Sequence, residues 1–156
     1  MADDLRVRID LKELTKLLDR STDRPGVLAA ATRGLGKGML LVQRDIVANR
    51  ISGQYLGVVT GTARKSIGTQ VRTLRDRVQG FVGSPLGYVR AHELGFSGPV
   101  PVRAHSRTLR GNTHDVRAHE RYVNMRARHF IRDSLRDKKD GVRLQVRDAL
   151  QRYLGA

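Results

Sequence analysis

Cysteine and tryptophan are absent from this chain of 156 residues, and glutamate occurs only at Glu13, Glu93 and Glu120. Without cysteine there is no disulfide, no thiolate metal site and no cysteine nucleophile. No apolar run approaches the roughly 18 residues that a membrane span needs. The opening Met1-Ala2-Asp3-Asp4-Leu5-Arg6 holds no apolar stretch able to act as a secretory signal. Aromatic residues make up 4% of the chain, which leaves few platforms for stacking unpaired bases. From these absences we expect a soluble protein of a cytoplasm, or of an assembly built there.

Acid is scarce relative to base. Fifteen Asp+Glu stand against 30 Lys+Arg, a formal net charge of +15. Arginine dominates the basic residues, and its planar fork grips carboxylates and phosphates better than lysine does. Such an excess implies an anionic partner, either nucleic acid or the acidic face of another protein. The length suits one domain spanning residues 1–156. With 39% hydrophobic residues the chain has enough apolar material for a core.

Periodicity divides the chain into elements. Leu5 to Ile9 alternates as a short strand, and Asp10 with Glu13 reads as a capping box for a helix carrying Leu11, Leu14, Leu17 and Leu18. Leu28, Ala31, Leu35, Met39, Val42 and Ile46 trace one face of a long helix from Pro25 to Ile51. Gly34, Gly36 and Gly38 interrupt it, which points to a close helix–sheet contact or a kink. Ile67 to Leu74 and Val78 to Gly83 read as paired strands around Arg75-Asp76. Ser84 and Pro85 open a short helix that Gly95 stops. Ile131, Leu135, Val142, Val146, Ala149 and Leu150 mark a C-terminal helix with a soft spot at Gly141. The fold class is therefore α+β: an antiparallel sheet, with the long helix of the N-terminal half and the C-terminal helix packed on one face.

Residues 99–124 read as a projecting basic β-hairpin that extends the sheet, turning near Gly111-Asn112. A register that pairs Val102 with Tyr122 collects Arg103, Arg107, Arg117 and Arg121 with His105 and His119 on one face. Like charges opposite one another cost about 0.2–1 kcal/mol per pair. The face therefore makes sense as a docking surface for an acidic protein or a phosphate backbone.

Motifs for chemistry are missing. Val-Arg-Ala-His occurs three times, ending at His92, His105 and His119, but the spacing is irregular and no second shell is apparent, so we expect no metal site. Gly34-Leu35-Gly36-Lys37-Gly38 sits inside a helical pattern and is followed by Met39, unlike a phosphate-binding loop. No nucleophile, base and orienting group can be assembled. We expect neither an enzyme nor a cofactor.

Three strings carry a resemblance. Thr60-Gly61-Thr62-Ala63-Arg64-Lys65-Ser66-Ile67, Tyr88-Val89-Arg90-Ala91-His92-Glu93-Leu94-Gly95 and Met125-Arg126-Ala127-Arg128-His129-Phe130-Ile131-Arg132 follow one another in order. Together they resemble the head–tail joining and tail-completion proteins of long-tailed bacteriophages, akin to the minor tail protein Z group, found also in prophages and gene transfer agents. Ala63, Leu94, Phe96 and His129 depart from the usual residues of that family. The resemblance implies a virion protein, assembled in the host cytoplasm, that forms a ring, expected to be a hexamer. Neck, tail-completion and tail-terminator roles stay open. Partners would be other connector and tail-tube proteins, with contact to packaged DNA and none to membrane.

Within that resemblance Thr60 and Gly61 would turn the chain into the sheet and Ile67 would begin its buried face, with Ser66 beside it. Glu93, near a helix C-terminus, is expected to pair with an arginine, on this chain or on a neighbouring subunit. Arg128 and Phe130 would anchor the last helix. The alternative function is a double-strand nucleic-acid-binding protein that uses the arginine-rich hairpin face.

Overall fold

The computed structural model describes residues 5–10, 22–53, 61–75 and 77–155. The helix expected after Asp10 lies outside them. Strands β1 (Leu5–Asp10), β2 (Gly68–Thr73) and β3 (Val78–Ser84) form an antiparallel sheet in the order β1-β3-β2. Val7 and Thr69 both face Val82, and Val71 faces Gly80. The central strand is the buried one: both of its edges are paired, and Val78 and Val82 are enclosed in the core with residues of the long helix. On β2 the flanking Gly68, Gln70 and Arg72 are exposed.

Helix α1 (Arg24–Asp45) covers the sheet. Asp23 starts it by accepting the Gly26 N–H at 3.0 Å, and Pro25 sits in the first turn, where its missing N–H costs nothing. At Ile46–Arg50 the helix widens into a single π turn, closed by the Ile51 N–H on the Ile46 carbonyl at 3.0 Å. The expected extent, Pro25 to Ile51, holds; the change of hydrogen-bond period had no visible signature. Leu35, Met39, Val42 and Ile46 are buried as the stripe required.

The remaining helices are α2 (Thr62–Ser66), α3 (Gly87–Leu94), α4 (Phe130–Asp137) and α5 (Lys139–Leu154). The last two replace the single C-terminal helix of the sequence reading. The break falls at Lys138, while Gly141 lies quietly in the first turn of α5. Helix α5 packs chiefly along α1, which corrects the expectation for the glycines. A Cβ on Gly34 would stand 2.7 Å from the Gln145 carbonyl oxygen and the Val146 Cα, and one on Gly38 would stand 2.7 Å from Val142. These glycines serve a helix–helix contact. The close helix–sheet contact is made instead by Gly80 of β3, whose Cβ would meet Met39 Sδ at 2.7 Å. A Cβ on Gly36 would meet nothing within 4 Å.

Polar groups lock the end of α1 to α4. Asp45, only 6% exposed, accepts from Asn49 at 2.9 Å and from Ser134 at 2.7 Å, and lies 3.3 Å from the Lys138 ammonium. Arg50 reaches both Asp45 at 3.5 Å and Asp137 at 2.5 Å. A carboxylate at a helix C-terminus opposes the macrodipole, and these donors offset that. Burial pushes the Asp45 carboxyl upward, but Asn49, Ser134 and Lys138 together hold it below the usual carboxylate range. Its stabilising effect is therefore complete above the unfolded value of about 3.9 and fades as pH falls through the lower folded value.

Two outcomes follow for stability. Gly34→Ala should lower stability in urea despite alanine's higher helix propensity, because the neighbouring atoms are backbone; Gly36→Ala should raise it by about 0.4–1 kcal/mol. Equal shifts for the two would refute the helix–helix role. Asp45→Asn should destabilise the protein at neutral pH, and the gap to the parent should narrow in urea melts as pH is lowered past about 3.9.

Candidate functional site

Residues 96–125 leave the body as a ribbon of two ladders. Strand β4 (Phe96–Val102) pairs only with β7 (His119–Met125), and β5 (His105–Leu109) only with β6 (Asn112–Val116). Among the described residues the ribbon bonds no strand of the β1-β3-β2 sheet, so it is a separate arm and not an extension of that sheet.

The expected register is also corrected. Val102 faces His119 instead of Tyr122, and Arg107 faces His114 instead of Arg117. The partner moves by three residues, an odd number, so the faces are exchanged. Arg121 now lies opposite Val100 and His105 opposite Val116. The single face of four arginines and two histidines does not form. The reason is at the tip, where Arg110 (φ 50°) and Gly111 (φ 82°) make a two-residue turn between Leu109 and Asn112. Positive φ at both central residues is what a type I′ hairpin turn requires. The glycine in the second position was the available signal.

A different pattern takes the place of the arginine face. Two of the Val-Arg-Ala-His strings, 102–105 and 116–119, lie antiparallel to each other: Val102 faces His119 and His105 faces Val116. Between those pairs both ladders are interrupted, and Arg103 and Arg117 occupy the interruption on facing strands. Each histidine folds back in the same way, with Nδ1 of His105 3.0 Å from the Arg103 carbonyl and Nδ1 of His119 2.9 Å from the Arg117 carbonyl. The repeat thus builds a joint with local two-fold symmetry. The third copy, ending at His92, is in α3.

The ribbon surface is basic on both sides of this joint. Arg103, Arg107, Arg110, Arg117 and Arg121 are all exposed. Of the two carboxylates between them, Asp115 accepts from the Ser106 hydroxyl at 2.6 Å, and Glu120 is exposed. Val100, Val102, Val123 and Met125 are half-buried on the face of the β4–β7 ladder that also carries His119 and Arg121. On its other side the Tyr122 hydroxyl lies 3.0 Å from that of Ser97.

Among the described residues Glu93 pairs with backbone N–H groups and with no arginine. It is 1% exposed, and its carboxylate accepts the Ile131 N–H at 2.8 Å and the Arg132 N–H at 3.0 Å. It therefore caps the N-terminus of α4, where the helix dipole favours negative charge. The carbonyls of His92 and Glu93 also accept from the N–H groups of Arg128 and His129, at 3.0 and 3.1 Å. Two of the three strings that carry the family resemblance thus meet at one joint. Phe130 is fully buried beside it, while Arg128 anchors through its backbone with its side chain exposed. Nδ1 of His92 and Nδ1 of His129 are buried there without a hydrogen-bond partner among the described residues. Burial and then the nearby Arg128 charge hold His92 below its ordinary pKa.

The first string supports the sheet. Thr60 lies outside the described residues. Gly61 takes φ 71° before α2, Ile67 is buried, and the Ser66 and Ser84 hydroxyls lie 2.7 Å apart. Ser84 also accepts the Leu86 N–H at 3.1 Å, so it turns the chain ahead of α3. Among the described residues no group of three His, Asp or Glu is placed to hold a metal ion, and no helix is long and apolar enough to cross a membrane. No protein family, curated protein or solved structure matches the chain.

Removing the Glu93 carboxylate leaves two helix N–H groups without their acceptor. Glu93→Ala should cost about 3 kcal/mol of unfolding free energy, and Glu93→Gln less, since an amide oxygen still accepts. Denaturant unfolding checks both. A loss below about 0.5 kcal/mol for the alanine variant would show that the cap is dispensable.

Proposed function

We propose that this chain is a structural virion protein of the head–tail junction or tail end of a long-tailed phage particle: a neck, tail-completion or tail-terminator protein that closes into a ring and docks neighbouring rings. It acts by assembly and carries no catalytic chemistry. The observation that carries this reading is the arm. A basic ribbon, bonded to no other strand of the described fold, stands off a body that is otherwise closed around one core. Such a projection contributes little to the core and suits contact with another molecule.

The family resemblance supports the same reading, and its strings fall at the joints of the fold: the α2–β2 turn, helix α3 and the start of α4. A ring is the natural product of a heterologous contact whose rotation closes. Six copies would bring together a charge of about +90, so acidic neighbours or duplex nucleic acid must offset it.

Native mass spectrometry and electron microscopy of the protein, alone and with the products of neighbouring genes, test the proposal. A single closed ring seated on a connector or tail end is the expected result. A chain that stays monomeric in both settings would overturn it. In particle assembly, Arg103→Glu combined with Arg121→Glu should reduce head–tail joining at least tenfold, scored by counting joined particles.

A further inference from the structure

Five arginines from Arg103 to Arg121 stand against two carboxylates, and one of those, Asp115, is engaged by Ser106. Among the described residues none of Arg103, Arg107, Arg110, Arg117 and Arg121 forms an ion pair. Carboxylates on the body, by contrast, pair with body cations: Asp133 and Asp137 with Arg136, Asp140 with Arg143 and Asp148 with Arg147. These acids have cations beside them, whereas the five arginines of the ribbon have no carboxylate partner among the described residues. We propose that the outer ribbon is a sequence-independent binding arm for the phosphate backbone of duplex nucleic acid, with these five arginines as its contacting cations.

Phosphate is favoured over an acidic protein face by what the outer ribbon lacks. Protein–protein interfaces centre on a dry apolar core rich in aromatic residues and methionine. Between Arg103 and Arg121 no large hydrophobic side chain is exposed among the described residues. Among the described side chains there, the exposed ones are Arg, His, Ser, Thr, Asn, Asp, Glu and Ala. A surface that is polar and strongly positive is the composition of protein–DNA interfaces. The shape agrees, since the major groove, about 12 Å wide, admits a two-stranded ribbon. Duplex is favoured over single strand because no Phe, Tyr or Trp lies on β5 or β6 to serve as a broad platform for a base.

This inference extends the ring reading by naming what the arm touches, but its test needs no ring. Anisotropy of a labelled 30-base-pair duplex of mixed sequence is measured with the full chain at about 50 and 200 mM salt. Five phosphate contacts give a slope of about −4.5 in log affinity against log salt, a loss of roughly 500-fold between those conditions. Arg103→Ala with Arg117→Ala should weaken binding at 50 mM salt at least tenfold and reduce the slope by about 2. Arg143→Ala with Arg147→Ala, on α5, should leave the slope unchanged. A second duplex of unrelated sequence should bind within threefold. Circular dichroism shows whether each variant keeps its fold, and Arg103→Lys with Arg117→Lys should retain most of the slope. No binding at 50 mM salt, an equal loss from the α5 pair, or displacement of the duplex by polyglutamate at equal charge would each overturn the inference. A chain that forms rings yet ignores duplex refutes only the arm's partner; one that binds duplex yet forms no ring refutes only the ring.

Discussion

The carboxylate of Glu93, set against the first turn of α4, is the contact on which the layout of the molecule turns. The ribbon leaves the body just after α3 and returns just before α4, so both of its feet stand at this point. Glu93 closes the gap with its two oxygens, while the carbonyls of His92 and Glu93 hold the incoming chain through the N–H groups of Arg128 and His129. Gly95 completes the joint. At φ 81° it takes a conformation that suits glycine, and a Cβ there would stand 3.1 Å from the Ala127 nitrogen. A negative charge is poorly placed at the end of α3 but well placed at the start of α4, and the second relation has two direct hydrogen bonds behind it.

The helical body carries its acids close to its bases, and the Asp45 cluster buries one carboxylate among four donors. The five arginines of the arm form no ion pair among the described residues. An isolated ribbon of this kind repels itself weakly, since exposed charges in water are screened within about 10 Å at 0.1 M salt. The cost of keeping the arginines unpaired is therefore small for the free protein, and it is recovered when an anion arrives.

Sequence alone went far on the body because burial there is two-sided. The stripe of Leu35, Met39, Val42 and Ile46 located α1, and the alternation around Val78 and Val82 located β3. Contacts between elements were less legible. Nothing in the spacing of Gly34 and Gly38 distinguishes a strand from a helix as the neighbour, and Lys138, where the helix breaks, meets Asp45, ninety-odd residues earlier. On the arm, facial logic failed for a physical reason: a ribbon that covers no core is not obliged to sort its residues by polarity, so turn chemistry at Arg110-Gly111 set the register instead. The Val-Arg-Ala-His string makes the same point from another side. One tetrapeptide is helical at 89–92 and lies at an extended joint at 102–105 and 116–119, so its conformation comes from context and not from propensity.

The interrupted ladder has a thermodynamic corollary. Beyond the joint, β5 and β6 form five residue pairs with no third strand and no core beneath them. A lone two-stranded hairpin in water is marginally stable at best, so among the described strands this tip is the pair whose opening free energy lies nearest zero while the body remains shut. Its amides would exchange with solvent long before those of β3, and anything that grips the tip would register first as protection there, with the melting temperature of the body left untouched.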